Sequence, residues 1–189
     1  MRPSFALVAR LVALGLVTVV MQVVFVSRLG VAGGRADLTP LAVMAAGLLL
    51  GSLSGALFGF GLGLLVDIAL LQTLGLSSLV LLAIGYWCGR LREARDPQGV
   101  LVPLLTGVFA TFLAAAGYSF IEFLLDVDAP VSGVLVRQLL ATVVLNALLA
   151  LPVYAVMRRW LRRDLPEDAR RHPRRRATTT RLSPLDVAR

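Results

Sequence analysis

Three ionisable side chains, Asp67, Glu122 and Arg137, fall within or at the edge of long apolar runs. A charge inside a bilayer is costly unless it is paired or reaches water, so each is a functional candidate. For Asp67 the chemistry on offer is proton or ion coupling, which wants a second buried carboxyl group and a basic relay. Glu122 is the only other acid in such a setting. The alternative for Asp67 is a cap or ion-pair partner that fixes the turn after its helix. Glu122 and Arg137 flank the short acidic segment 126–132, so they read as an ion pair between neighbouring helices or as substrate-binding groups. Gln22 and Asn146 are lone amides in mid-run, a type that hydrogen-bonds between helices.

Beyond these, little could do covalent chemistry. The single histidine, His172, sits among arginines near the C-terminal end, and the single cysteine, Cys88, lies in an apolar segment. No histidine triad, multi-histidine metal site or disulfide within the chain can be built from them. The sequence has no nucleophile with a base, no carboxylate pair at hydrolytic spacing and no phosphate-binding loop. It is read as a non-enzyme with no catalytic residues, no cofactor and no metal.

The elements that must position Asp67 carry a second pattern. Glycine recurs at 47, 51, 55, 59 and 63, and the next step of four lands on Asp67. Each glycine in a helix interior costs about 1 kcal/mol relative to alanine. Residues four apart drift about 40° around a helix, so Gly55, Gly59 and Gly63 share one narrow face. Small residues there let helix backbones approach closely. The contacting helix is either another in the same chain or a partner's.

Composition places these features in a membrane. Of 189 residues 58% are hydrophobic and only 16% charged, with mean hydropathy +0.83. A soluble domain carries about a quarter charged residues. The expected architecture is an all-α integral membrane protein, with a six-span domain over residues 1–157. Its spans are placed at 11–27, 38–50, 54–70, 76–89, 100–125 and 134–157. The first is read as an uncleaved span rather than a signal peptide. Residues 38–70 are too long for one span: as a single helix they would reach about 50 Å against a core of about 30 Å. The chain must break there, and Gly51 to Gly55 is the place. Residues 90–99 are read as a charged loop.

Arginine placement sets the orientation. All nineteen basic residues are arginine, and eleven of them lie in 158–189 with four of the eleven acids. With six spans, Arg2, Arg10, Arg90, Arg92, Arg95 and the tail share one side, which the positive-inside rule assigns to the cytoplasm. Both termini of a multi-pass plasma-membrane protein are then cytoplasmic. Residues 158–189 are read as a disordered arginine-rich tail. Its Arg158, Arg159, Arg162 and Arg163 suit anionic lipid. Nucleic acid is not an expected partner, because the tail lacks stacking aromatics beyond Trp160.

One set of residues has a familiar look. Pro40-Leu41, then Gly51, Gly55, Gly59-Phe60, Gly63-Leu64 and Asp67, then Leu74-Gly75-Leu76 and Gly85-Tyr86 with Gly89-Arg90, resemble the bacterial MreD rod shape-determining family. The resemblance is strongest over residues 38–92. It implies a membrane scaffold in the cell-elongation machinery, concerned with cell shape and peptidoglycan synthesis. The implied partners are the transmembrane helix of MreC, with links to MreB, the RodA glycosyltransferase and a class B penicillin-binding transpeptidase. It also implies a fold similar to the S components of energy-coupling-factor transporters, and hence an alternative role as a vitamin-type substrate-binding subunit. Under the scaffold reading, Gly55, Gly59, Gly63, Asp67 and Gly75 form the partner-binding or helix-packing surface. The family's basic residues at the turn near Ser52 are missing here.

Overall fold

Among the described residues the chain forms six helices, with a pair of short strands between the first two. The computed structural model describes residues 5–24, 30–31, 34–71, 73–94, 101–124 and 133–162. Helix α1 spans Phe5–Val24, α2 Leu38–Leu50, α3 Ser52–Ala69, α4 Leu76–Ala94, α5 Leu101–Leu124 and α6 Gly133–Trp160. Between α1 and α2, strand β1 (Gly30–Val31) pairs antiparallel with β2 (Gly34–Arg35), with Gly30 opposite Arg35.

Four helices, α1, α3, α5 and α6, are long and apolar enough to cross a membrane. α4 carries Arg90, Arg92 and Glu93 in its last turns, which lowers its hydropathy. α2 has 13 residues, about 20 Å at 1.5 Å per residue, short of the hydrocarbon thickness. A short helix that is apolar all round belongs in a core, and every residue from Thr39 to Leu49 is buried. All five other helices contact α2.

The chain breaks at one residue, Gly51, which closes α2 and opens α3. Its φ of 97° with ψ of 178° is open to glycine alone. Its amide donates to the Gly47 carbonyl (2.9 Å), and its own carbonyl accepts from Gly55 N–H (2.9 Å). The hydrogen-bond ladder thus crosses the corner with little loss.

Among the described residues, three boundaries differ by three residues or more from the sequence reading: α1 starts at Phe5 rather than at residue 11, and α4 and α6 run on at their C-terminal ends. α4 continues through Ala94, so the first half of the expected charged loop is helical. Arginine and glutamate are good helix formers, and those in the last turn have tertiary partners described below. α6 likewise runs past residue 157 to Trp160.

Candidate functional site

The glycine series faces inward, onto α4 of the same chain. A Cβ at Gly55 would stand 2.7 Å from the Gly85 carbonyl oxygen and 2.6 Å from the Gly47 Cα. One at Gly59 would collide with the Leu81 carbonyl, and one at Gly63 with Ser78 Cα. The contacts descend from 85 to 81 to 78 as the glycines rise, so α3 and α4 run antiparallel, backbone against backbone. Glycines of three helices, Gly47, Gly55 and Gly85, meet at one point. Gly85 and Gly89, the α4 half of this seam, were missed as packing residues. Their four-residue spacing repeats that of α3, and that was the available signal. No partner helix can enter a seam that α4 already fills.

Asp67 ends the seam. It is fully buried. One carboxyl oxygen accepts from Gly75 N–H at 2.8 Å and the other from Ser77 N–H at 3.3 Å. These are amides at the start of α4, where a helix has no internal acceptors to offer. Asp67 therefore closes the 70–75 turn and caps α4. Gly75 packs against nothing among the described residues: none lies within 4 Å of where its Cβ would stand, its φ of 94° suits glycine, and its amide is the one that Asp67 accepts.

The opposite end of α4 holds the corner at Gly51. Arg92 Nη1 donates to the Leu49 carbonyl at 2.6 Å, at the C-terminus of α2. Glu93 Oε1 accepts from Ser52 N–H (3.0 Å) and Ser52 Oγ–H (2.6 Å), at the N-terminus of α3. A cation at one helix C-terminus and an anion at the next N-terminus suit both dipoles. The basic group absent from the turn itself is thus supplied by α4. These hydrogen bonds from Ser52, with Arg90 3.4 Å away, hold the Glu93 carboxyl below the usual range. Its contribution is therefore present above the unfolded value and lost only as pH falls through the lower folded one. Replacing Glu93 by Ala is expected to raise amide hydrogen exchange over residues 52–55 at neutral pH, with little change elsewhere. In the native chain, protection there should persist until acid protonates Glu93.

A third polar group fastens the start of α2. Asn146 is buried in the middle of α6; its Oδ1 accepts from Asp37 N–H (2.9 Å) and its Nδ2 donates to Thr111 Oγ1 of α5 (3.1 Å). Gln22 of α1 accepts from Leu38 N–H (2.9 Å) and donates to the Ala36 carbonyl (3.3 Å). Both lone amides thus bind one chain entry and tie α1, α5 and α6 to α2.

Arg137 is exposed, and the Glu122 side chain lies outside the described residues, as do Arg163 and 178–180. Arg158, Arg159 and Arg162 are exposed at and just beyond the end of α6. Among the described residues, no three His, Cys, Asp or Glu side chains come together as a metal site would require.

Helices of this length and hydropathy, braced by their own buried polar groups, define a multi-pass helical membrane protein. A family model described as rod shape-determining protein MreD matches residues 2–163, and the chain belongs to the MreD family. It is a rod shape-determining membrane protein, of a family whose role is structural. Comparison with curated proteins and with solved structures gave no match.

Proposed function

We propose that this chain is a non-enzymatic membrane scaffold of the cell-elongation complex. In this reading it binds the transmembrane helix of MreC and, with MreB, RodA and a class B penicillin-binding transpeptidase, supports peptidoglycan synthesis. Both termini lie in the cytoplasm in this reading, which the arginine distribution supports, and the arginines after α6 contact anionic lipid. The observation that carries the scaffold reading is the use made of polar side chains. Asp67, Gln22, Asn146 and Thr111 are each spent on holding the chain's own helices. A vitamin-type S component would instead need several such groups turned toward a ligand.

With the glycine seam closed by α4, the partner surface moves to the outward face of α3. There Gly61 has nothing among the described residues within 4 Å of a Cβ position, between exposed Leu57, Phe60 and Ile68. A small residue among large ones gives a passing helix a seat. Gly61→Leu fills that notch without touching the bundle. It is expected to reduce co-purification of MreC at least tenfold while leaving the protein monodisperse. Undiminished MreC recovery would remove this face as the contact.

A further inference from the structure

A cleft of about 690 Å³ opens between the last turns of α4 and the first half of α5, a volume within the roughly 300–1,000 Å³ range of ligand sites. Its lining is of two kinds. Trp87, Leu91, Leu105 and Phe109 supply the apolar part, here called the floor, and Arg90 and Glu93 the charged part. All four floor residues are substantially exposed, Leu105 at 59% and Trp87 at 56%. We propose that this cleft holds one anionic phospholipid, with an acyl chain along the floor and the headgroup phosphate against Arg90.

Charge decides the occupant. The Glu93 carboxyl is engaged by both donors of Ser52. Arg90 reaches Glu93 through one long contact of 3.4 Å, and its side chain is 59% exposed. A guanidinium has five N–H donors in a planar fork that fits a phosphate bidentately, and the contact with Glu93 uses one of them. Arg92 is turned away, onto the Leu49 carbonyl. An apolar slot between helices that also carries a cation is the form in which basic pockets bind anionic headgroups. A tryptophan among the lining residues matches the interfacial preference of indole. A partner's transmembrane helix would fill the floor but would leave Arg90 with only its long contact to Glu93.

The chain's two tryptophans, Trp87 and Trp160, make a direct test. In the Trp160→Phe protein, Trp87 is the sole indole and lies on the cleft floor. The full chain is placed in phosphatidylcholine nanodiscs with a minor fraction of acyl-brominated phosphatidylglycerol or, separately, brominated phosphatidylcholine. Brominated phosphatidylglycerol should occupy the cleft about fivefold above its share, the factor one arginine contributes at a lipid surface. Arg90→Gln should abolish that preference and leave quenching by phosphatidylcholine unchanged. In the Trp87→Phe protein, Trp160 reports lipid around the terminal arginines and should not respond to Arg90→Gln. Equal quenching of Trp87 by the two lipids, a preference that survives Arg90→Gln, or an equal response at Trp160 would each overturn the proposal.

Discussion

Replacing Gly59 with leucine is expected to unseat α4 from α3 and cost more than about 3 kcal/mol of stability. Gly59→Ala should already cost about 1–3 kcal/mol. The reason is the kind of atom that the new side chain meets. A Cβ at position 59 collides with the Leu81 carbonyl and stands 3.0 Å from Val43 Cγ1. The carbonyl belongs to a helix and cannot swing aside as a side-chain end would. Relief requires α4 to retreat, and the contacts at Gly55 and Gly63 would open with it. Gly61, two residues on and in the same helix, supplies the internal control. Among the described residues nothing lies within 4 Å of its Cβ position, so Gly61→Ala should be neutral or stabilising by up to about 1 kcal/mol through helix propensity. Thermal unfolding of the detergent-purified proteins measures both. Equal midpoints for Gly59→Ala and Gly61→Ala would mean that the seam does not hold α3 to α4.

That contrast marks how far the sequence could be read. Apolar run lengths were enough for six helices and for a break near Gly51, because a single helix over 38–70 would overshoot any bilayer. The four-residue glycine period identified a close-contact face on α3. It did not identify the contact, because that depends on the register of α4, which periodicity on one helix does not specify. The matching glycines at 47, 85 and 89 become partners only when three helices meet. Arg92 and Glu93 were hidden for a related reason. Locally they read as a polar loop, and their role comes from carbonyls and amides more than forty residues away. Gln22 and Asn146 were legible as interhelical hydrogen-bonders, since a lone amide in an apolar run needs a partner. That both grip the entry to α2 follows from how short α2 is, and so how deep its first residues lie.

Asp67 tests whether an intramembrane acid is there for structure. Asp67→Ala removes both acceptors from the start of α4 and leaves the Gly75 and Ser77 amides without them. A buried donor left unpaired costs about 1–3 kcal/mol, so the pair should lose about 2–6 kcal/mol, enough to lower the yield of folded protein sharply. Asp67→Asn separates the hydrogen bonds from the acid. An asparagine keeps one carbonyl acceptor, which can retain the 2.8 Å bond from Gly75 but presents an N–H group toward Ser77. Its cost should fall between wild type and alanine, about 1–2 kcal/mol. The order wild type, Asn, Ala in thermal midpoint is the signature of a cap. A coupling acid would behave differently: its asparagine variant would fold as well as wild type while shape maintenance in cells failed. Restoring a normal midpoint in Asp67→Asn without restoring cell shape would therefore move Asp67 from the turn it closes to a proton or ion it carries.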